Sequence, residues 1–301
     1  MPLWSDIWRV GVVDAPIEAI IAKGGVGKFS VHWLEEMPPL SFLADPFGLW
    51  QNGLLYVFVE AYDYASRKGR IDLVVLDKTF KPVQPRRTVL SEPWHLSYPF
   101  VFEWEGTFYM LPEAFRSGQV SLYRAVSFPD KWEKVEAFQF PENAIDASPL
   151  FWQNQWWMFY TPVGAKMEKQ SVLQIASAPH LYGPWKTISH EPVRRNITSS
   201  RPGGTPFFTK EGGLVLPTQN CQKTYGGGIT PLHIIDLSSV FFSARSGVSL
   251  SLPHSSGLYR DGMHTLSAVG DVTLVDVKKI QFSPQSLGLD IKRKIKRFSP
   301  F

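Results

Sequence analysis

The sequence predicts an all-β fold, a five-bladed β-propeller with about four antiparallel strands in each blade. A sequence motif of two apolar runs around a tight polar turn occurs three times, and its copies contain Pro46, Pro99 and Pro149. The intervals, from 46 to 99 and from 99 to 149, are 53 and 50 residues. A regular period of this size is typical of propellers, in which each repeat folds as one blade.

Each copy of the motif predicts a β-hairpin, the first two strands of a blade. Turn residues such as Asn52, Gly53 and Gly106 supply the positive φ that a tight connection needs. The flanking runs are rich in Phe, Tyr, Trp, Val and Leu, which suit a pleated, buried surface. Strand-like stretches after the hairpins predict the third strands at 69–76, 118–125 and 171–178, and the fourth at 80–88, 132–140 and 185–188.

Two weaker copies complete the predicted ring. The fourth begins at 201–203, and the fifth begins near His264. We expect the N-terminal segment 8–13 to supply the missing outer strand of the fifth blade. The sequence thus predicts one propeller domain over residues 1–285 and a basic tail over 286–301. A β-sandwich of similar hairpins is the alternative, because short strands at regular spacing also suit sandwiches.

Composition narrows the class of protein. The chain has 301 residues, a formal net charge of +4 and a single cysteine, Cys221, which favours a reducing compartment and a cytoplasmic location. We expect no signal peptide and no membrane span, because no apolar stretch is long enough. The basic run at 292–297 could contact a membrane surface. Nucleic acid is not an expected partner, since no basic stripe is interleaved with stacking aromatics.

The glycine-rich segment 23–28 looks like a phosphate-binding loop. That loop needs Ser or Thr directly after its last lysine to bind Mg²⁺, but Phe29 stands there. We therefore expect the glycines to form a turn before a strand at 31–34. No cofactor is predicted, and no His/Cys spacing indicates a zinc site.

Residues that begin the first strand of each blade are expected to line the central funnel. The aligned copies place Asp45, Tyr98, Arg201 and His264 there. Asp146 faces the same way as the matching residue of the third copy, because side chains two apart share one face of a strand. The structural alternative is that Asp-Pro merely starts a strand and that the histidine is hydrogen-bonded in the core.

Two glutamates occupy matching places at the end of the second strand. Glu60 follows Asp45 by 15 residues, and Glu113 follows Tyr98 by 15 (45 to 60 and 98 to 113). Carboxylates forced together repel, which raises some of their pKa values. One protonated and one ionised carboxyl is the requirement for cleaving a glycosidic bond. His95 precedes the second blade and could reach the mouth of the funnel.

The Ala-Asp-Pro-Phe segment at 44–47 resembles the five-bladed propeller glycosidases, which include arabinanases, β-xylosidases, levansucrases and invertases. The resemblance implies that Asp45 is the base or nucleophile and that Asp146, two residues before the usual place, modulates pKa values. It also matches His264 to a histidine that some members place near a central cation. A glutamate acid is expected in the fourth blade, but Arg201 stands there, and Glu113 is the substitute.

A closer resemblance covers nearly the whole chain. The segments at 42–47, 95–103, 109–113, 183–185 and 201–203 are similar to the N-terminal domain of plant glucosamine inositolphosphorylceramide transferases. His-Leu-Ser-Tyr-Pro at 95–99 is the most specific part of this match. The resemblance implies a role in glycan or glycolipid assembly.

The sequence as a whole predicts glycosyl transfer or glycosidic bond cleavage in surface glycan or glycolipid synthesis. The expected ligand is a sugar, phosphorylated or nucleotide-linked. A non-catalytic carbohydrate-binding or scaffold module for a partner glycosyltransferase is the alternative. The predicted site residues are Asp45, Glu113 and Asp146 for catalysis, and Glu60, His95, Tyr98, Arg201 and His264 for substrate binding, with Arg201 as an anion clamp.

Overall fold

Five antiparallel sheets form the blades of a propeller in the computed structural model, which describes residues 4–284. The predicted five-bladed fold is confirmed, and the alternative β-sandwich is excluded. The predicted basic tail at 286–301 lies outside the described residues. The first two blades and the segment before them contain β1 (Trp4–Val13), α1 (Ile17–Ala22), β2 (Val31–Trp33), β3 (Ser41–Gln51), β4 (Leu54–Asp63), β5 (Lys68–Leu76), β6 (Arg87–Leu90), β7 (Ser97–Trp104), β8 (Thr107–Glu113), β9 (Tyr123–Ser127) and β10 (Lys131–Lys134).

The remaining elements continue the same order along the chain. Short 3₁₀ turns lie at Val26–Lys28, Phe115–Ser117 and His254–Ser256. No helix within residues 4–284 is long and apolar enough to cross a membrane. The elements are β11 (Ala144–Trp152), β12 (Gln155–Pro162), α2 (Glu168–Ser171), β13 (Val172–Ala178), β14 (Lys186–Thr187), β15 (Arg194–Arg195), β16 (Phe207–Phe208), β17 (Leu214–Gln219), β18 (Ile229–Leu237), β19 (Phe242–Ser246), β20 (Leu266–Val269) and β21 (Val272–Phe282).

Blades one to four are meanders in which consecutive strands pair, as the repeats predict. Their sheets run β3-β4-β5-β6, β7-β8-β9-β10, β11-β12-β13-β14 and β16-β17-β18-β19, and β15 adds to the edge of β13. The first hairpin turns carry left-handed residues, with Asn52 at φ 51° and Glu105 at φ 49°. The third blade makes this turn without glycine, using Gln153 and Asn154 at φ 53° and 55°.

The fifth blade joins the two ends of the described chain. Its order is β2-β1-β21-β20, so β1 pairs with β21 from Trp4 opposite Phe282 to Val13 opposite Thr273. The N-terminal segment joins the fifth blade as predicted, but it forms the third strand, and β2 takes the outermost place that was expected of it. Because the fifth blade needs both ends, the ring and everything at its centre depend on this pairing.

Hydrophobic residues fill the space between neighbouring blades. One cluster combines Val12 and Leu274 of the fifth blade with Val57 and Val74 of the first. Val12 and Leu274 are opposite each other in register, and both are fully buried. Apolar area is thus removed from water where blades meet, and this holds the ring closed.

The glycine-rich segment forms the predicted turn before β2. Gly25 has a φ of 144°, and a Cβ added there would lie 2.4 Å from the backbone nitrogen of Ser251. Val26 donates its N–H to the carbonyl of Ser251 at 3.1 Å. The glycines therefore allow a close backbone approach.

Leu274→Ala should destabilise the closure of the ring. It removes a fully buried side chain and should cost about 2–5 kcal/mol of unfolding free energy, measured by urea denaturation. Ile280→Ala on the same strand is the control, because Ile280 is 38% exposed and should change stability by less than about 0.5 kcal/mol. Equal losses in the two variants would contradict this account of the interface.

Candidate active site

A β-bulge begins the first strand of each of the first three blades. The strand register shifts between Ala44 and Phe47 and at the equivalent places of blades two and three. The residues in these bulges, Asp45, Tyr98 and Asp146, have left-handed φ angles of 48°, 44° and 51°. Bulges re-aim side chains, and strained residues cluster at functional sites.

The bulges correct the expected alignment of the third blade. Asp146 holds the same place as Asp45, because each directly follows the last residue that pairs before the bulge. We expected Asp146 to lie two residues before the usual place, with Ser148 as the matching residue. The proline of the third copy is displaced along the strand relative to the bulge, and the alignment on prolines therefore slipped by two residues.

In the first three blades, one residue near the end of the second strand lies opposite the residue that precedes the bulge of the first strand. Glu60 pairs with Ala44, and Glu113 pairs with Ser97, as their equal spacing predicts. The same place in blades four and five belongs to Gln219 and Asp276, which the sequence analysis missed. A signal was present, because Asp276 directly follows the strand-like run 272–275 just as Glu60 follows its own apolar run.

A chain of hydrogen bonds passes from blade to blade around the axis. Asp276 Oδ2 accepts the N–H of Asp45 at 3.0 Å, and Asp45 Oδ2 accepts the N–H of Tyr98 at 3.2 Å. The Thr265 hydroxyl donates to Asp45 Oδ1 at 2.7 Å. Each carboxylate thus ties its own blade to the bulge of the next. We call this arrangement the axial hydrogen-bond chain.

A pocket of about 270 Å³ opens beside this chain. We call it the axial pocket, and all five blades contribute its ionisable groups, with Lys169 coming from α2 in the third. Aromatic rings form much of the rest of its wall, from Trp8, Phe42, Tyr62, Phe115 and Tyr225. Six of the eight predicted site residues line it: Asp45, Glu60, His95, Glu113, Arg201 and His264.

Tyr98 and Asp146 lie behind the wall of the axial pocket. Tyr98 is fully buried, and its hydroxyl is 2.8 Å from the Ser148 hydroxyl and accepts the Gly204 N–H at 2.7 Å. The expected contact of Tyr98 with substrate is therefore corrected, because its left-handed backbone turns the ring into the protein core. Asp146 is 3% exposed and is not among the residues that line the pocket.

Arg201 reaches the axial pocket, but its charge is already paired. Its Nε donates to Asp146 Oδ2 at 2.7 Å, and the Gln219 amide donates to the same oxygen at 2.8 Å. The guanidinium lies over the Tyr225 ring at 5.1 Å. Burial alone would lower the pKa of Arg201, but the Asp146 carboxylate outweighs burial and raises that pKa.

Burial raises the pKa values of three carboxyls in the pocket. Desolvation, less the attraction of His264, raises the pKa of Asp45 to about 6. Desolvation and the charge of Asp146 raise the pKa of Glu113 to about 7, even though Ser97 and Phe115 donate to it. Desolvation, with the charges of Asp45 and Glu113, raises the pKa of Glu60 well above its usual range. Near neutral pH the pocket thus holds both protonated and ionised carboxyls.

His264 forms an ion pair inside the protein. Burial opposes its charge, but the Asp276 and Asp45 carboxylates outweigh burial and raise its pKa. Burial likewise works against Asp276, but the His264 cation holds the pKa of that carboxyl below its usual range. The Nδ1 of His264 is 2.6 Å from Asp276, and its ring stacks on Trp8 at 3.7 Å.

The cluster of Asp45, His264 and Asp276 is the place where the resemblance to propeller glycosidases predicts a cation. Its potential ligand atoms lie within 4.8 Å of one another. The Asp276 carboxylate already accepts N–H groups from Asp45, His264 and Thr265, and the Nδ1 of His264 points its hydrogen at that carboxylate. These donors and acceptors satisfy each other, so the cluster fits an ion pair better than a directly coordinated cation.

The segment 95–99, the most specific part of the family resemblance, contributes His95 and Ser97 to the wall of the axial pocket. The Gly69 N–H donates to His95 Nδ1 at 2.8 Å, which leaves the hydrogen of the neutral ring on Nε2, 3.6 Å from Glu60 Oε1. Burial lowers the pKa of His95 to about 4, so the ring is neutral and this contact is not an ion pair. A Cβ on Gly69 would lie 2.3 Å from the Leu96 carbonyl, so only glycine fits there.

Residues 31–256 match the family described as "Glucosamine inositolphosphorylceramide transferase 1, N-terminal". The chain belongs to this family. A glucosamine inositolphosphorylceramide transferase 1 from Arabidopsis thaliana is 32% identical over 257 residues, which are 83% of this chain and 32% of the relative. One from Oryza sativa subsp. indica is 35% identical over 193 residues, 62% of this chain and 25% of the relative. The chain thus spans about a quarter to a third of these relatives, and the family supports a carbohydrate-related function.

Solved structures confirm the fold of this family member. A glycosyl hydrolase from Bacteroides ovatus superposes with a TM-score of 0.56 at 11% identity, over 81% of this chain and 90% of that one. A family 117 glycoside hydrolase from Zobellia galactanivorans superposes with a TM-score of 0.55 at 15% identity, over 84% of this chain and 90% of that one. At such low identity the likeness shows the propeller alone.

Glu113→Gln should flatten the pH dependence of stability. The folded pKa of Glu113, about 7, lies above its ordinary value, so its contribution to stability is fully present below about pH 4.5 and lost as pH rises through about 7. The loss should be on the order of 3 kcal/mol. Urea unfolding at about pH 4.5 and about pH 8 should show a smaller difference in the variant than in the parent protein.

The matched control for that measurement is Glu136→Gln, because Glu136 is exposed and its substitution should leave the pH dependence as it is. An unchanged difference in Glu113→Gln would mean that Glu113 does not take up a proton on folding.

Proposed function

We propose that the axial pocket binds one sugar ring and that the propeller acts on its glycosidic bond, by cleavage or by transfer, in glycan or glycolipid synthesis. The observation that carries this proposal is the pairing of Asp45, with a pKa of about 6, and Glu113, with a pKa of about 7, in one small pocket walled by aromatic rings. Aromatic faces bury the apolar face of a sugar, and the carboxyls bind its hydroxyls.

Asp45 is the proposed base or nucleophile. It receives hydrogen bonds from the Tyr98 N–H and the Thr265 hydroxyl, and both favour the ionised form. Glu113 is the proposed acid, because its higher pKa leaves it protonated when Asp45 has lost its proton. Asp146 keeps Arg201 in place and adds negative charge behind Glu113, which makes it a positioning residue.

Glu60 and His95 are proposed to bind the substrate as neutral groups. Burial raises the pKa of Glu60 well above its usual range, which favours its neutral form, and His95 has its hydrogen on Nε2, so both are suited to donate to sugar hydroxyls. The plant relatives carry glucosamine in their name. The amine of such a sugar would be attracted by the carboxylates of this pocket.

A phosphate on the sugar would meet Lys169 at the mouth of the axial pocket. Its ammonium lies 4.5 Å from the centre of the Phe115 ring, and both residues line the pocket. Arg201 was expected to clamp an anion, but its guanidinium is committed to Asp146. We therefore assign the anion to Lys169, with His264 deeper in the pocket. A phosphorylated or nucleotide-linked sugar remains the proposed ligand.

A non-catalytic module that presents sugars to a glycosyltransferase is the second candidate. One observation favours it, because both oxygens of Asp45 accept hydrogen bonds from the protein and are partly withdrawn from chemistry. The chain also covers only a third or less of its curated relatives. For either candidate function, we also propose a cytoplasmic location and contact of the basic tail with a membrane surface.

Turnover of Asp45→Asn and Glu113→Gln decides between the two candidates. Each variant should lower turnover of a phosphorylated or nucleotide-linked sugar by about 10²–10⁴-fold, because each removes a proton-transfer group. Affinity, measured by calorimetry, should change less than about tenfold. The control Asp271→Asn lies on an exposed hairpin turn and should keep full activity. Sugar binding without turnover in the parent protein would favour the binding module.

The pH dependence of turnover should be bell-shaped. The rate should rise as Asp45 loses its proton near about 6 and fall as Glu113 loses its own near about 7. Because the two groups share one pocket, the two apparent pKa values of this profile belong to the pair and not to either residue alone. Initial rates across the pH range measure this profile, and a rate that keeps rising above pH 7 would exclude Glu113 as the acid.

A further inference from the structure

A second pocket, of about 330 Å³, lies between the second and third blades at the opposite end of the propeller. Trp104 and Tyr109 come from blade two, Phe151 and Trp156 from blade three, and Tyr182 from the loop after β13. We call it the interblade pocket. Trp104 ends β7, whereas the first residue of that strand lines the axial pocket. At ~3.3 Å per residue, roughly 20 Å separate the two pockets.

Three rings of the interblade pocket contact one another at steep angles. The Trp104 and Phe151 centroids are 4.5 Å apart at 52°, and the Trp104 and Trp156 centroids are 4.9 Å apart at 73°. Phe151 and Tyr182 are each 36% exposed. Aromatic surface is therefore held in a fixed shape and left open to solvent, where it costs free energy unless a ligand covers it.

Polar groups stand beside these rings. The Trp156 side chain is only 4% exposed and lines the pocket, and its indole N–H donates to no residue of the described part, 4–284. The Tyr109 and Tyr182 hydroxyls are 2.9 Å apart, and one hydrogen of this pair is left to donate outward. Glu105 supplies a carboxylate at the rim. Because the Trp156 N–H has no acceptor within residues 4–284, a ligand oxygen that accepts from it would add a hydrogen bond.

We propose that the interblade pocket is a second carbohydrate-binding site, which takes one sugar ring. A sugar offers an apolar C–H face for Trp104 or Phe151 and hydroxyls that both accept and donate. The Trp156 N–H, the Tyr182 hydroxyl and the Glu105 carboxylate match those hydroxyls. The site would hold a glycan away from the axial pocket, and it stands whether or not the axial pocket is catalytic.

The repeat supplies a matched control for this site. Trp50 and Trp104 both lie just before the first hairpin turn of their blades, Trp50 opposite Leu55 and Trp104 one place nearer the turn, opposite Thr107. Trp50 packs against a hydrophobic cluster between the fifth and first blades and does not line the interblade pocket. Replacing Trp50 therefore removes an indole ring near the same turn of another blade without touching the proposed site.

Saturation-transfer NMR on the full chain tests the proposal. The probes are the methyl glycosides of glucose, galactose, mannose, glucosamine and N-acetylglucosamine. At least one should bind, and Trp104→Ala and Phe151→Ala should each weaken its binding by about tenfold or more, which corresponds to ~1.4 kcal/mol. Trp50→Ala should leave the binding unchanged. Circular dichroism and thermal melting show that each variant is folded.

A variant of the axial pocket separates the two sites. Phe115→Ala should not affect binding at the interblade pocket, because Phe115 lines only the axial pocket of the two. If Phe115→Ala lost all sugar binding and Trp104→Ala kept it, sugars would bind only in the axial pocket, and the second site would be overturned. Absence of binding by all five probes would overturn it too. So would binding of a proline-rich peptide or choline, instead of a sugar, that depends on Trp104.

Discussion

The axial hydrogen-bond chain is the constraint on which the rest of the molecule depends. Asp276 holds the backbone of Asp45 from the neighbouring blade, and Asp45 in turn holds the backbone of Tyr98. These bonds fix the bulges at which the first strands begin, and the bulges aim the carboxyls at the axis. The same carboxylates therefore join the blades and form the pocket, so stability and chemistry share their atoms.

Burying so much negative charge has a cost, and the structure offsets it in two ways. Asp276 and Asp146 are paired with His264 and Arg201 in buried ion pairs. Glu60 and Glu113 have no such ion-pair partner within residues 4–284, so burial shifts them towards the neutral form. Removing one member of a buried ion pair destabilises the protein strongly, because a single buried charge remains. The division into paired and protonated carboxyls is what gives the pocket both states at once.

Closure of the ring brings distant parts of the chain to this centre. Because β1 pairs with β21, Trp8 reaches the axial pocket and stacks on His264. The fourth blade adds Arg201 and Tyr225, and the α2 helix adds Lys169. Aromatic rings recur at the interblade pocket, at the far end of the same blades. One repeat thus presents one pocket at the start of its first strand and another near its end.

The sequence by itself determined the number of blades, their hairpins and the equivalence of Glu60 and Glu113, because these follow from local turns and from a regular period. It also indicated Asp45, His95, Arg201 and His264, which begin blades or precede them. Only the tertiary structure decided that Asp146 matches Asp45 and that Asp276 completes the ring. The physical reason is that bulge geometry and bonds between blades, such as the one that joins residues 45 and 276, depend on contacts between distant parts of the chain, and spacing along the chain does not show which residues those contacts join.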